Sequence, residues 1–119
     1  MTEEQRRWRE QQVEKIGLCD ICQGQATEVH EFARGTNNRQ PALTEPCCQL
    51  VLCFNCHRGP KGIHSGGYSL AEQLAYLHWR GPDRYDIEKY YSIIARRHPS
   101  QEAVWQAYVR ITTYERDDP

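Results

Sequence analysis

The sequence predicts a small α+β protein in three parts, and three observations carry that prediction. Residues 2–16 are polar and open on a helix-capping pattern. Residues 17–68 hold all six cysteines, three of the five histidines and seven of the eight glycines, with two short apolar runs that read as strands. Residues 69–119 return to helical spacing of their apolar side chains. At 119 residues the chain is one domain's worth of polypeptide. Its 15 Lys+Arg against 16 Asp+Glu leave a formal charge of -1, which excludes a globally basic coat for nucleic acid but not a local basic patch. No apolar run approaches the length of a membrane span. The start of the chain has no apolar core of a secretory leader, so a cytoplasmic location is expected, with no membrane partner.

In the first part, Thr2 and Gln5 have the spacing of a capping box. Trp8, Val13 and Ile16 are the only large apolar residues that follow, so this helix is expected on a surface. In the second part, Glu28–Phe32 and Gln49–Leu52 read as strands, with a loop over residues 34–46 between them. Such a segment buries too little apolar surface to fold without a staple. In the third part, Ser69 and Glu72 repeat the capping box, and Leu70, Leu74 and Leu77 follow as one stripe up to Gly81-Pro82. Ile87, Tyr91 and Ile94 form the next stripe, ended near His98-Pro99. Ser100 is placed to cap a third helix carrying Val104, Tyr108 and Ile111. The bland role of these residues is core packing. The aromatics Tyr76, Trp79, Tyr85, Tyr90, Tyr91, Trp105 and Tyr108 exceed what such a core needs, so a homodimer through these helices stands beside a monomer as an expectation.

The staple is legible in the cysteines. Cys19-Asp20-Ile21-Cys22 and Cys53-Phe54-Asn55-Cys56 are two C-x-x-C turns, and each turn converges two thiolates into half of a tetrahedral site. Together they predict a structural Zn2+ held by Cys19, Cys22, Cys53 and Cys56. Cys53-x-x-Cys56-His57 also fits a c-type haem attachment, but that needs a distal ligand, commonly Met, and the only methionine is Met1. A redox dithiol would need a βαβ setting that neither pair has. Cys47 and Cys48 read as small buried residues, with substitute ligands or a buried thiol pair as alternatives. Adjacent strand side chains point to opposite faces, which argues against both joining one zinc.

One strand histidine, His30, and one histidine at the start of a helix, His57, accompany this zinc hairpin. The run Val29-His30-Glu31-Phe32, followed by Leu50-Val51-Leu52-Cys53-x-x-Cys56-His57, resembles the HNH endonucleases over about residues 17–65. The resemblance implies a ββα-metal, treble-clef-like zinc unit, here at 17–68, flanked by the helix at 1–16 and a two- or three-helix extension at 69–119. It implies a metal-dependent hydrolase of DNA, in which a base activates water and a divalent ion (Mg2+, Mn2+, Ni2+ or Zn2+) stabilises the leaving oxygen. His57 is carried over as a ligand of that catalytic metal. The family typically shows two consecutive polar residues on the strand, a ligand and then the base; here the register offers His30-Glu31. His30 is favoured as base because a carboxylate near metal is the better ligand. On that view Glu31, or His64 from beyond the second cysteine pair, completes the metal site. The alternative is Glu31 in the base position with His30 as ligand. The position where the family carries Asn is Cys48, with Asn37 and Asn38 nearby in the loop.

Between residues 32 and 71, four basic residues (Arg34, Arg39, Arg58, Lys61) face one acid (Glu45), a local balance of 4 − 1 = +3. They are candidate phosphate contacts. Arg96 and Arg97 sit where a helix end favours positive charge regardless of ligand. No helix carries a dense Arg/Asn/Gln face, so low sequence specificity is expected. The sequence thus points to a DNA endonuclease. The alternative is a non-catalytic zinc module that docks nucleic acid or protein. Free-standing proteins of the resembled type are common in phages and mobile elements, which would place this one in a host cytoplasm.

Overall fold

The computed structural model describes residues 1–32, 39–94 and 98–117, with side chains at all of these except 39 and 114–117. Among them are six α-helices and a two-stranded antiparallel sheet. The order is α1 (Glu3–Ile16), β1 (Glu28–Glu31), α2 (Arg39–Ala42), β2 (Gln49–Leu52), α3 (Phe54–Arg58), α4 (Leu70–Arg80), α5 (Ile87–Ile93) and α6 (Gln101–Asp117).

Both capping boxes form. Thr2 and Gln5 exchange bonds at the start of α1, and Ser69 and Glu72 do so at the start of α4. Ser100 Oγ accepts from the Ala103 amide at the start of α6. Each such cap satisfies donors that a helix start otherwise leaves open, worth about 1 kcal/mol. α1 has no buried residue. It lies across one face of the sheet, where Val13 and Ile16 close over Ala26, Val29 and Val51.

The register pairs Glu28 with Leu52, Val29 with Val51, His30 with Leu50, and Glu31 with Gln49. Directly opposed residues share a face. Leu50 and Leu52 therefore carry His30 and Glu28 toward the main core, away from α1. That core runs from Cys19 through Leu74, Leu77, Tyr90 and Val104 to Ile111, so one continuous cluster joins the cysteine segment to the C-terminal helices.

Four sequence expectations shift. Residues 34–46 are not all loop: α2 forms at 39–42, and Ala42 and Leu43 are fully buried. Gln49, itself buried, donates to both of their carbonyls at 2.8 Å, which gives this bend the hydrogen bonds that it lacks internally. Cys47 and Cys48 lie in a 3-10 turn, Pro46–Cys48, rather than on a strand. The alternation argument therefore does not apply; both are buried, with their Sγ atoms 3.8 Å apart. Tyr90, rather than Tyr91, is the fully buried residue of α5. The stripe of α6 uses Ala107 beside Val104 and Ile111, and Tyr108 packs at the edge of the core. Most of the surplus aromatics find each other within the chain: His78 stacks on Tyr85, Trp105 on Tyr108, and Tyr76 meets Tyr68 and Trp79. No helix among the described residues is long and apolar enough to cross a membrane.

Candidate functional site

The cysteine cluster is built from two turns. In the first, the Cys19 amide donates to the Gly24 carbonyl at 2.7 Å, and Gln23 takes a φ of 62° to reverse the chain. The Gly24 amide donates to Cys22 Sγ at 3.3 Å. In the second, Cys53 caps α3, and its Sγ accepts from the Cys56 amide at 3.4 Å. The Sγ atoms of Cys22 and Cys53 are 3.7 Å apart, and all four lie within 4.8 Å of one another. A tetrahedral zinc with Zn–S bonds of about 2.3 Å has S···S edges of about 3.8 Å. Donor type and spacing both fit a structural metal such as zinc. Burial pushes the Cys22 and Cys56 thiols up. At Cys53 burial is outweighed by hydrogen bonds from the Cys56 amide and the neighbouring thiols, which hold that thiol below its ordinary value. Thiols crowded in this way ionise together only with a cation among them.

Asp20, between the first two ligands, ties this turn to the rest of the molecule. Its carboxylate is 2% exposed and accepts from the Val51 amide at 2.8 Å. Arg84 grips both of its oxygens, at 2.8 and 3.0 Å. The backbone amide of Asp20 donates to the Val51 carbonyl, so the turn is stitched to β2 in both directions. Gly81 makes room for the guanidinium: a Cβ there would fall 2.4 Å from an Arg84 nitrogen.

A second group of ligand atoms comes from His30, His57 and His64, again all within 4.8 Å of one another. β1 supplies His30, α3 supplies His57, and the 3-10 turn Ile63–Ser65 supplies His64. One close approach folds that turn back onto α3, and a second closes the loop on itself. A Cβ on Gly62 would lie 2.7 Å from the Cys56 carbonyl oxygen, and one on Gly67 2.0 Å from the Lys61 carbonyl oxygen. The Ser65 hydroxyl adds a bond to the Gly59 carbonyl at 2.9 Å.

The polarity of each ring follows from its partner. His57 is buried, and burial lowers its pKa against the opposing pull of Glu28. The Glu28 carboxylate can only accept, so His57 Nδ1 carries the proton and donates it to Glu28 Oε1 at 2.6 Å. In the neutral ring the lone pair of His57 is then on Nε2, which lies 2.9 Å from Nε2 of the exposed His64. A carboxylate behind an imidazole in this way is the usual second layer of a metal site. His30 is half-buried; burial, and next the neighbouring His57, lower its pKa to about 4. Its Nε2 is 3.1 Å from Gln73 Oε1 on α4. Beside the histidines opens a cavity of about 200 Å³ whose lining includes His30, Glu31, Phe32, His64 and Gln73.

The structure thus brings together His30, His57 and His64. Glu31 is not among them. The strand runs without a bulge, so alternation puts Glu31 on the other strand face from Glu28 and His30, although the residue still borders the cavity beside His30. Its carboxylate accepts from Arg9 of α1 at 2.6 Å, while the same arginine holds the Val29 carbonyl. Arg58 and Lys61 are exposed next to His57, and Arg58 lies 3.4 Å from Glu28. Arg34, Asn37, Asn38, Arg96, Arg97 and the side chain of Arg39 lie outside the described residues. Sequence reasoning missed Glu28, Gln73 and Arg9. Glu28 was within reach, since a residue two before His30 on a strand shares its face. Gln73, 43 positions from His30, and Arg9 on a surface helix left no local signal.

Comparisons with family models, with curated proteins and with solved structures found no match to this chain.

Proposed function

We propose that the protein is a metal-dependent DNA endonuclease of the HNH type, built on a treble-clef-like zinc unit. The observation that supports this most strongly is the convergence of His30, His57 and His64 within 4.8 Å, next to a separate four-cysteine set. One group staples the fold and the other is free for chemistry. In this reading His57 and His64 would hold a divalent cation, with Glu28 fixing the orientation of His57. Imidazole donors favour Ni2+ or Zn2+ over Mg2+. When bound, that cation stabilises negative charge on the phosphate and on the leaving oxygen.

The chain's own residues do the rest. His30 takes a proton from water as the water oxygen bonds to phosphorus. The bond from phosphorus to the 3′ oxygen breaks, that oxygen is protonated from solvent, and His30 later returns its proton to solvent. Burial leaves His30 unprotonated at neutral pH, and at about 4 its pKa also makes it a weaker base than a free imidazole. Arg58 and Lys61 neutralise flanking phosphates without reading bases, which gives low sequence preference.

The test is incubation of zinc-loaded protein with supercoiled DNA and Mg2+, Mn2+, Ni2+ or Zn2+. Nicking is expected with at least one ion, and a folded His30→Ala variant should lose about 10²–10⁴-fold in rate. A zinc-loaded wild type that nicks with none of them overturns the proposal. The second reading, a non-catalytic zinc module that docks nucleic acid or protein, is favoured by one observation: Glu31, in the family's second strand position, is engaged by Arg9. Metal stoichiometry separates the two. One tight metal unaffected by His57→Ala supports the module, and a second metal lost in that variant supports the enzyme.

A further inference from the structure

The C-terminal helices fall outside the HNH resemblance, yet one of their side chains enters the histidine cluster. Gln73 lies on α4, is 7% exposed, and makes two hydrogen bonds that together remove any ambiguity in its amide. Its Nε2 donates to the Tyr68 carbonyl at 3.1 Å, and a carbonyl oxygen can only accept. The amide is therefore oriented with Oε1 toward His30, whose Nε2 it meets at 3.1 Å. Oε1 can only accept, so His30 Nε2 must carry the hydrogen. The remaining ring nitrogen, Nδ1, is then the bare one.

We propose that Gln73 is a positioning residue that clamps His30 in the Nε2–H tautomer and so leaves Nδ1 as its basic nitrogen. The catalytic value of that clamp rests on the nuclease reading above; the clamp itself does not. An imidazole that is free to exchange tautomers presents the wrong nitrogen for part of the time and rotates about its side-chain bonds. A buried amide tied at both ends prevents both. The extension is thus more than a cover for the zinc unit: α4 carries the group that orients His30, and the capping box at Ser69 together with Tyr68 fixes where α4 begins.

The experiment compares wild type, Gln73→Met and Gln73→Glu, each zinc-loaded, by nitrogen NMR of the imidazole rings alongside DNA nicking. Met keeps the bulk but cannot accept from His30, whereas Glu retains an acceptor oxygen. In wild type His30 should show one protonated nitrogen, Nε2. In Gln73→Met the two tautomers should mix, with kcat falling about 10–100-fold, the range for loss of an orienting partner, and KM and metal content unchanged. Gln73→Glu should keep a proton on Nε2, since a carboxylate oxygen still accepts from it, while losing the bond to the Tyr68 carbonyl. A proton on Nδ1 in wild type, or a tautomer unmoved in Gln73→Met, overturns the proposal. If the Nε2–H signal is present and lost as expected but no sample nicks DNA, the clamp stands and the nuclease reading alone falls.

Discussion

Replacing Arg84 by Met tests how the cysteine turn is anchored. Asp20 is 2% exposed and accepts three hydrogen bonds, one from the Val51 amide and two from the Arg84 guanidinium. Arg84→Met leaves the carboxylate in place with one bond of three and no compensating charge. Breaking a buried pair from one side costs about 3–5 kcal/mol, a large share of the roughly 5–15 kcal/mol that holds a domain together. The assay is urea unfolding at saturating zinc, so that metal loss does not mix with unfolding, read as a fall in the midpoint with the slope unchanged. The Asp20→Asn, Arg84→Met double variant should lose less than Arg84→Met alone, because Asn still accepts from the Val51 amide and no charge remains buried. A loss below about 1 kcal/mol in Arg84→Met would refute the reasoning, since that is the worth of an exposed pair. A double variant weaker than Arg84→Met would refute the attribution to uncompensated charge.

Other expectations concern the two metal groups. Chelation of the structural metal should unfold the segment around Cys19, Cys22, Cys53 and Cys56, seen as loss of dispersed amide signals that returns with added Zn2+. Glu28→Gln should weaken metal binding at His57 and His64 by about 10–100-fold while the four-cysteine metal stays, measured by titration calorimetry on zinc-loaded protein. Gly67→Ala should force open the loop that carries His64, because its Cβ would meet the Lys61 carbonyl. The second metal should be lost with the first retained, and unchanged stoichiometry would show that the turn tolerates the Cβ.

Much of the local structure was legible because it depends on near neighbours. Thr2 with Gln5 and Ser69 with Glu72 specify helix starts through bonds that span three residues, and both boxes form. Gly81 ends α4 where the pattern broke. Within each C-x-x-C turn the two thiols converge because the turn is local. Of the histidines, His30 and His57 were readable by their place beside those turns, and His64 by its nearness to the second pair. Less legible was the segment between the strands. α2 is a short helix held by Gln49 rather than by its own propensity, and Cys47 and Cys48 belong to a turn opened by Pro46. In α5 the choice of Tyr90 over Tyr91 rests on where neighbouring elements stand, since the two are adjacent in sequence and only packing distinguishes them.

By itself, then, the sequence determined which residues could act: the four thiols, the histidines, the helix boundaries and the strand alternation. All of these are set by bonds and periods that operate over a few residues. Only the tertiary structure decided how they act. It turned Glu31 toward Arg9, put Glu28 behind His57, seated Asp20 on Arg84, and brought Gln73 across 43 positions of chain to one nitrogen of His30. Those choices depend on which face of a strand meets which helix, and on the direction of each hydrogen bond once buried groups must be satisfied. Neither exists until the core has closed.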